Sequence, residues 1–257
     1  MIGAANLAYA QARTQARHGT LANESTWRML SATAAFRGFL EQARRTALRP
    51  WLLNISSIST KHDIERLLRD NLRGRIAEVA RWVPPALRPA VHWTVALIEL
   101  PALDYLLHGG AALSWMRDEP RLQSIAAVEP GQRAAVLAQG ELAAIARGDQ
   151  GNTLIERWLV EWRLRLPALA RGEMVHLERL ARLVLTALDE AAARALELTV
   201  HDSSVIRRRL ENALTFEFRR RFLEPAAIFA HLLLVILEFA EVRGALVSRA
   251  IFEPGVR

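Results

Sequence analysis

The sequence contains no cysteine, and Lys61 is the only lysine among its 34 basic side chains. The absence of cysteine excludes disulfide bonds and thiolate metal ligands, and it is compatible with a reducing compartment. The opening residues also lack the basic stretch followed by an apolar one that marks a secretory signal. We therefore expect the protein to stay in the compartment in which it is made.

Common catalytic motifs are absent as well. No serine or threonine lies in a GxSxG elbow, and neither a Walker-type glycine loop nor a GxGxxG motif follows a strand pattern. The longest apolar run, residues 226–237, contains His231 and is shorter than the roughly 20 residues that span a membrane. The sequence therefore predicts a buried core helix at this run, and it predicts neither catalytic residues nor a cofactor.

The formal net charge is +7, and almost all of the basic side chains carry guanidinium groups. Arginine forms bidentate pairs with carboxylates and phosphates, so the charge permits nucleic acid, an acidic lipid or an acidic protein as the partner. The arginines are spread along the chain, however, and no aromatic-rich nucleic-acid motif interrupts them. This distribution favours a protein partner over nucleic acid, unless it only reflects the base composition of the genome.

Apolar residues recur at intervals of three and four along most of the chain, whereas alternating patterns are scarce. This periodicity predicts an all-α fold. We expect a first helix over about 3–18 and a second that Asn23 or Ser25 caps and that continues to about residue 49.

Two further helices are predicted between residues 60 and 107. Thr60 and Asp63 match a capping box at the start of the first one. The second begins near Pro89, is nearly free of charge, and should bend at Pro101, because a proline ring disrupts the preceding helical turn.

The C-terminal half shows the same helical periodicity. Residues 153–170 and 173–198 predict an antiparallel helical hairpin. A further helix follows Ser203 or Ser204 and ends before Pro225, where the final helix begins. The predicted buried stripe of that further helix consists of Ile206, Leu210, Leu214, Phe218 and Phe222.

Two segments of the sequence align without a gap. Residues 91–99 (VHWTVALIE) align with residues 230–238 (AHLLLVILE), and each segment follows a charged helix and a proline. A unit that occurs twice predicts repeated helical lobes, which we expect to form a cup- or funnel-like bundle. The expected divisions are an N-terminal lobe over 1–115 with the first copy at 60–110, a connector and hairpin over 116–199, and a C-terminal unit with the second copy over 200–257.

Two His-Asp dipeptides, His62-Asp63 and His201-Asp202, suggest a metal-dependent phosphohydrolase, because such enzymes use these residue types as ligands. Both dipeptides come just before a predicted helix, where an aspartate is favoured by the helix dipole without any metal. Helix capping is therefore the simpler explanation, and the sequence predicts no metal site.

The aligned segments each place a histidine two helical turns before a glutamate, which brings the two side chains to one side of the helix. The pairs are His92 with Glu99, and His231 with Glu238. A pair of metal ligands is conceivable, but a hydrogen-bonded histidine in the core or at an interface is the commoner arrangement.

The final helix resembles the C-terminal signature of a central-stalk component of bacterial and archaeal A/V-type rotary ATPases, the C-type subunit, whose eukaryotic counterpart is the d-type subunit. That family has a P-x-x-x-x-A-Y-L-L run followed by E-I/V-R/K-N-L/I-R. Glu238 and Arg243 match the second motif, whereas Ala240 and Glu241 depart from it. The first motif is matched by Pro225, Ala230, Leu232 and Leu233, with His231 in place of the tyrosine.

Two other segments are similar to the same family. Its opening motif, Y-x-N-A-R-x-R followed by L-L, is matched by Tyr9, Ala12, Arg13 and Leu21, while Gln11, Gln15 and Ala22 differ. Residues 64–69 (IERLLR) resemble its IE-x-x-LR stretch. Together the three likenesses extend over about two-thirds of the chain, in the same order as in the family.

The resemblance implies a mechanical role and no catalysis. Such a protein lies at the cytoplasmic face of the membrane, where it joins the central-shaft subunits to the membrane proteolipid ring during proton or sodium transport. It contacts the membrane only through that ring and binds no nucleic acid. The resemblance marks Tyr9, Arg13, Glu238 and Arg243 as structural or interface residues. An unrelated all-helical scaffold protein is the alternative, and a His-Asp phosphohydrolase is a weaker one.

Overall fold

The computed structural model describes the backbone of residues 4–147, 151–195 and 200–252. Within these ranges every regular element is helical, which confirms the predicted all-α fold. Four short 3-10 helices accompany the α-helices, at Arg49–Trp51, Pro85–Leu87, Thr94–Ile98 and Pro130–Gln132. The α-helices are α1 (Ala4–His18), α2 (Glu24–Ser31), α3 (Phe36–Ala43), α4 (Lys61–Trp82), α5 (Arg88–Trp93), α6 (Leu100–Leu107), α7 (Ser114–Asp118), α8 (Gln123–Ala126), α9 (Arg133–Leu137), α10 (Ala143–Ala146), α11 (Leu154–Leu164), α12 (Arg171–Ala195), α13 (Val200–Arg220) and α14 (Pro225–Phe252).

The helices form two compact units, each assembled from three separate parts of the chain. The first unit comprises the described residues of Met1–Gly19, Ile76–Thr94 and Trp162–Leu237. The second unit comprises those of Thr20–Arg75, Val95–Glu161 and Glu238–Arg257. The expected division at 115/116 and 199/200 would instead make each part a continuous stretch of the chain. This division stays a prediction, and so does the cup or funnel shape.

The predicted single helix after residue 23 is interrupted. Asn23 caps α2 as expected, because its side chain accepts a hydrogen bond from the Thr26 N–H at 2.9 Å. The helix then ends at Ser31, and α3 begins only at Phe36. Arg249 of α14 donates from Nε to the Thr33 carbonyl at 2.9 Å. A distant side chain thus satisfies a carbonyl in the break, which the local sequence does not reveal.

The start of α4 forms the predicted capping box. The Thr60 N–H donates to Asp63 Oδ2 at 3.1 Å, and the Asp63 N–H donates to Thr60 Oγ1 at 3.2 Å. The reciprocal bonds satisfy backbone donors that the first turn of a helix leaves unpaired. The hydrogen bonds from Thr60 lower the pKa of Asp63, since they favour its ionised form.

The two aligned segments have different backbones, so the expectation of one repeated structure is wrong for them. The first segment is divided among α5, the 3-10 helix Thr94–Ile98 and α6, with a bend of 53° before Leu100. Prolines explain this division, and Pro101 at the start of α6 confirms the predicted bend. The second segment lies within the continuous 28-residue helix α14, which contains no proline after its first residue.

In the first unit the described part of α12 contacts Arg163 at the end of α11 and the helix α13. Arg163 of α11 forms a bidentate ion pair with Glu178, with both distances 2.6 Å, as the predicted hairpin requires. Further along, α12 also packs antiparallel to α13, because Arg179 pairs with Glu217 and Glu190 pairs with Arg209. This second packing was not predicted.

The predicted burial of Phe222 is wrong. The helix α13 ends at Arg220, and Leu223 adopts a positive φ of 62° in the turn that follows. Phe222 therefore lies in this turn rather than on the helical stripe, and it is 61% exposed. The stripe ends with Phe218, which is fully buried.

The helix α14 is apolar and mostly buried. Its segment Pro225–Ile251 has the length and composition of a membrane span, but 72% of the most apolar window is buried inside the protein. The bent pair Pro85–Ile98 and Leu100–Leu107 passes the same test only if both parts count as one span. Core helices of soluble proteins share these properties, so composition alone assigns no membrane segment.

Candidate functional site

Glu238 joins two distant parts of the second unit. One carboxylate oxygen accepts a hydrogen bond from the Ala22 N–H at 2.7 Å, and the other accepts one from Trp51 Nε1 at 2.7 Å. Glu238 and Trp51 are both buried, so these charge-assisted bonds are shielded from water. The Arg75 guanidinium lies 4.1 Å from the centre of the Trp51 ring. Glu238 therefore holds α14 against the residues that follow α1 and α3.

Arg243, one and a half turns further along α14, reaches α4. Its Nε donates to Glu65 Oε2 at 2.5 Å, and Arg69 Nε donates to Glu65 Oε1 at 2.9 Å. Glu65 and Arg69 are 2% and 3% exposed, whereas the Arg243 side chain is 43% exposed, so this buried carboxylate binds one buried and one partly exposed guanidinium group. The Arg69 guanidinium also stacks on Trp115 of α7 at 4.2 Å. A cation–π contact of this kind is strongest when water is excluded.

A second group of buried charges surrounds Glu99, the residue at the bend before α6. Arg121 Nη1 lies 3.7 Å from Glu99 Oε2, and Arg73 forms an ion pair with the buried Glu119. Glu99 itself is 0% exposed, and neither of its oxygens has a hydrogen-bond partner within the part of the chain that the structure describes.

The environment of Glu99 favours its protonated form. Burial, with a smaller contribution from the neighbouring Glu119 charge, raises the pKa of Glu99 to about 7, although Arg121, Arg69 and Arg73 oppose this change. A carboxyl group without hydrogen bonds is expensive to ionise in the interior. Glu99 can therefore gain or lose a proton near neutral pH, in contrast to an ordinary glutamate.

We call these residues the buried charge network. The charges of the network nearly balance, since it contains four arginines and three glutamates. Network members come from α4, the bend before α6, the segment after α7, and α14, and all belong to the second unit. The members are Glu65, Arg69, Arg73, Glu99, Glu119, Arg121 and Arg243.

The network is suited to holding chain segments together. Arginines bind the carboxylates of Glu65 and Glu119, and Arg121 lies near Glu99 without a hydrogen bond to it. In the described ranges no group of three or more His, Asp and Glu side chains is arranged to hold a metal ion. Removing one partner of a buried ion pair leaves an uncompensated charge, which is strongly destabilising. The arrangement therefore fixes the relative positions of four segments of the second unit.

The four residues marked by the family motifs separate into two pairs. Glu238 and Arg243 bind other segments of the second unit, as described above. Tyr9 and Arg13 lie one turn apart on α1 in the first unit, and both are exposed, Tyr9 by 61%. The Arg13 guanidinium lies 5.1 Å from the ring centre of Trp82. Tyr9 and Arg13, the outer pair, form a surface, whereas in the other pair Glu238 is buried and the Arg243 side chain is 43% exposed.

The histidines do not occur in equivalent environments. His92 is exposed, whereas His231 is buried, with its ring centre 6.0 Å from that of Phe218. His62 is half-buried next to Asp63, whose carboxylate caps α4. The side chains of His201 and Asp202 lie outside the described residues, so the phosphohydrolase alternative and the expected absence of a metal both stay predictions.

Sequence reasoning missed most of the network. Arginine is usually exposed on a helix, but Arg69 is nearly as buried as the apolar residues beside it. The four-residue spacing of Glu65 and Arg69 was a signal for an ion pair. The alignment of Glu99 with Glu238 was a signal for two buried carboxylates, and both are buried.

No family model, no curated protein and no solved structure matches the chain. The resemblance to the rotary-ATPase component therefore depends on the motif residues themselves and on the contacts they make.

Proposed function

We propose that this protein is a non-catalytic subunit of a V/A-type rotary ATPase that couples the central shaft to the membrane proteolipid ring. In this role it lies at the cytoplasmic face of the membrane as a peripheral component and supports proton or sodium transport. One observation carries the proposal: the final helix is bonded directly to each of the other two segments that resemble the family. Glu238 binds the backbone of Ala22, at the end of the first motif, and Arg243 binds Glu65 in the second.

These bonds explain the residue types at Glu65, Glu238 and Arg243, whereas Ala22 is bound through its backbone N–H and its residue type is not involved. The bonded residues lie 216 and 178 positions apart in the chain, so the contacts close very long loops. Glutamate at 238 is required to accept two hydrogen bonds at once, and arginine at 243 is required to reach a buried carboxylate. Motif residues with such roles are expected in a protein whose task is to stay rigid under torque.

The outer pair supplies a surface for a partner. Tyrosine and arginine are enriched at protein interfaces, because both combine apolar area with hydrogen-bonding groups. Tyr9 and Arg13 present these groups one turn apart on the exposed side of α1. In the proposed complex this pair contacts a shaft or ring protein, and it has no part in any reaction.

Affinity purification of the tagged chain from gently solubilised membranes, followed by mass spectrometry, tests the proposal. We expect ATPase head subunits, shaft subunits and proteolipids to be recovered with the chain. Tyr9→Ala and Arg13→Glu should reduce that recovery several-fold while leaving the circular dichroism and the urea midpoint unchanged. Arg28→Glu is the matched control, because it makes the same charge change at a side chain that is 75% exposed on α2.

Two results would contradict the proposal. One is repeated purification of the chain without head or proteolipid subunits from membranes that contain them. The other is recovery of an unrelated set of proteins at constant ratio, which would support the alternative of a separate helical scaffold.

A further inference from the structure

A groove of about 410 Å³ lies between α12 and α13 in the first unit. We call it the α12/α13 groove. Its volume falls in the range of small-molecule sites, whereas a single turn of α-helix, about 10 Å wide and 5.4 Å long, already occupies roughly 420 Å³. The volume is therefore sufficient for a small molecule. The apolar residues along it are Leu183, Ala187, Ile206, Leu210 and Ala213.

The two ends of the groove differ in charge. At one end Glu190 neutralises Arg209, with 3.2 Å between Oε2 and Nη1. At the other end Arg179 and Arg182 line the groove, and no acidic side chain lines it there. Because α12 and α13 are antiparallel, the apolar residues lie between these ends. The groove is therefore cationic at one end, apolar along its length and neutral at the other end.

Arg182 is the arginine that is available to a ligand. Arg179 is engaged by Glu217 at 2.9 Å. Glu178, the acidic residue one turn before Arg182, has both oxygens occupied by Arg163. Arg182 lines the groove end. Its charge acts on the Glu178 carboxylate, whose pKa is lowered first by the hydrogen bond from Arg163 and to a smaller extent by Arg182, and no ion pair of Arg182 within 4 Å is found in the described ranges.

We infer that the α12/α13 groove binds a single-chain anionic amphiphile, a long-chain carboxylate whose head group pairs with Arg182 and whose alkyl chain lies against Leu183, Ala187 and Leu210. The whole groove extends over the eleven residue steps from Arg179 to Glu190, about 16 Å of helix, and a helical side chain such as that of Arg182 points toward the N-terminal end, where Arg179 lies. At roughly 1.3 Å of projected length per carbon, this distance accommodates a chain of about twelve carbons. The inference is independent of the proposed rotary-ATPase role, because it uses no residue of the family motifs.

Isothermal titration calorimetry of the full chain tests the inference with three probes below their micelle concentrations. Dodecanoate carries both the head group and the chain, dodecyl maltoside carries the same chain on a neutral head, and acetate carries the head group alone. We expect saturable binding of one dodecanoate per chain, with at least about tenfold weaker binding of the other two.

Two variants separate this site from general hydrophobic binding. Arg182→Gln should weaken dodecanoate binding about tenfold, since it removes a charge-assisted hydrogen bond. Arg171→Gln changes an exposed arginine at the start of the same helix, and it should leave the affinity unchanged. Circular dichroism and the urea midpoint verify that both variants fold.

Several outcomes would overturn the inference. These are the absence of saturable dodecanoate binding, equal affinity for dodecyl maltoside, and equal affinities of the two arginine variants. A stoichiometric complex with an acidic amphipathic peptide that dodecanoate does not displace would assign the groove to a protein partner instead.

Discussion

Glu99→Gln replaces a fully buried carboxyl group by an amide of nearly the same size, so it tests the electrostatics of the buried charge network without creating a cavity. The pKa of Glu99 is raised to about 7 in the folded protein, against 4.5 ordinarily. Between these two pH values the unfolded chain has lost the proton and the folded chain still holds it. The free energy of unfolding of the native protein therefore falls as the pH rises through this window.

The magnitude follows from the same two values. At 1.36 kcal/mol for each pH unit, the interval from 4.5 to about 7 corresponds to a loss of about 3 kcal/mol relative to a residue that does not titrate. Glutamine does not titrate. We therefore expect Glu99→Gln to match the native protein in stability near pH 4.5 and to be the more stable of the two by about 3 kcal/mol at pH 8.

Urea unfolding followed by tryptophan fluorescence at several pH values measures this difference. Glu141→Gln is the matched control, because Glu141 binds the same Arg121 but is 72% exposed. The control should show no such pH-dependent difference from the native protein, since exposed ion pairs contribute little. A stability difference for Glu99→Gln that does not change between pH 4.5 and 8, or a variant less stable than the native protein at pH 8, would refute the reasoning.

Two further substitutions test how the segments are held. Glu238→Gln leaves one oxygen where two donors are bound, so we expect it to lower the free energy of unfolding by about 1–3 kcal/mol, against less than about 0.5 kcal/mol for the exposed Glu41→Gln. Thr60→Ala removes the cap of α4 and should cost about 1 kcal/mol, most of which Thr60→Ser should restore. Equal urea midpoints of Glu238→Gln and Glu41→Gln would contradict the first expectation, and equal midpoints of Thr60→Ala and Thr60→Ser would contradict the second.

Local features of the sequence predicted the helical structure well. The spacing of apolar residues identified the helices, Asn23 and the Thr60–Asp63 pair identified two helix starts, and Pro101 identified the bend. Each of these signals acts within one or two turns of the chain. Local chemistry is therefore sufficient to predict them.

Features that depend on distant residues were not predictable in the same way. The break between α2 and α3 includes a carbonyl bound by Arg249, more than 200 positions away. Arg69 is polar by residue type but buried by its contacts with Glu65 and Trp115. The raised pKa of Glu99 likewise results from burial and from the Glu119 charge, opposed by arginines of α4 and of the segment after α7. Such properties arise from packing between distant segments, and the spacing of apolar residues carries no information about that packing.

Transport by membranes with and without this protein tests the central proposal most directly. The measurement is ATP-driven ion uptake into inverted membrane vesicles, together with the amount of ATPase head bound to them. If the protein couples shaft to ring, vesicles that lack it should lose both the uptake and the bound head, and the purified chain should restore them. Uptake and head binding that remain unchanged in its absence would contradict the account.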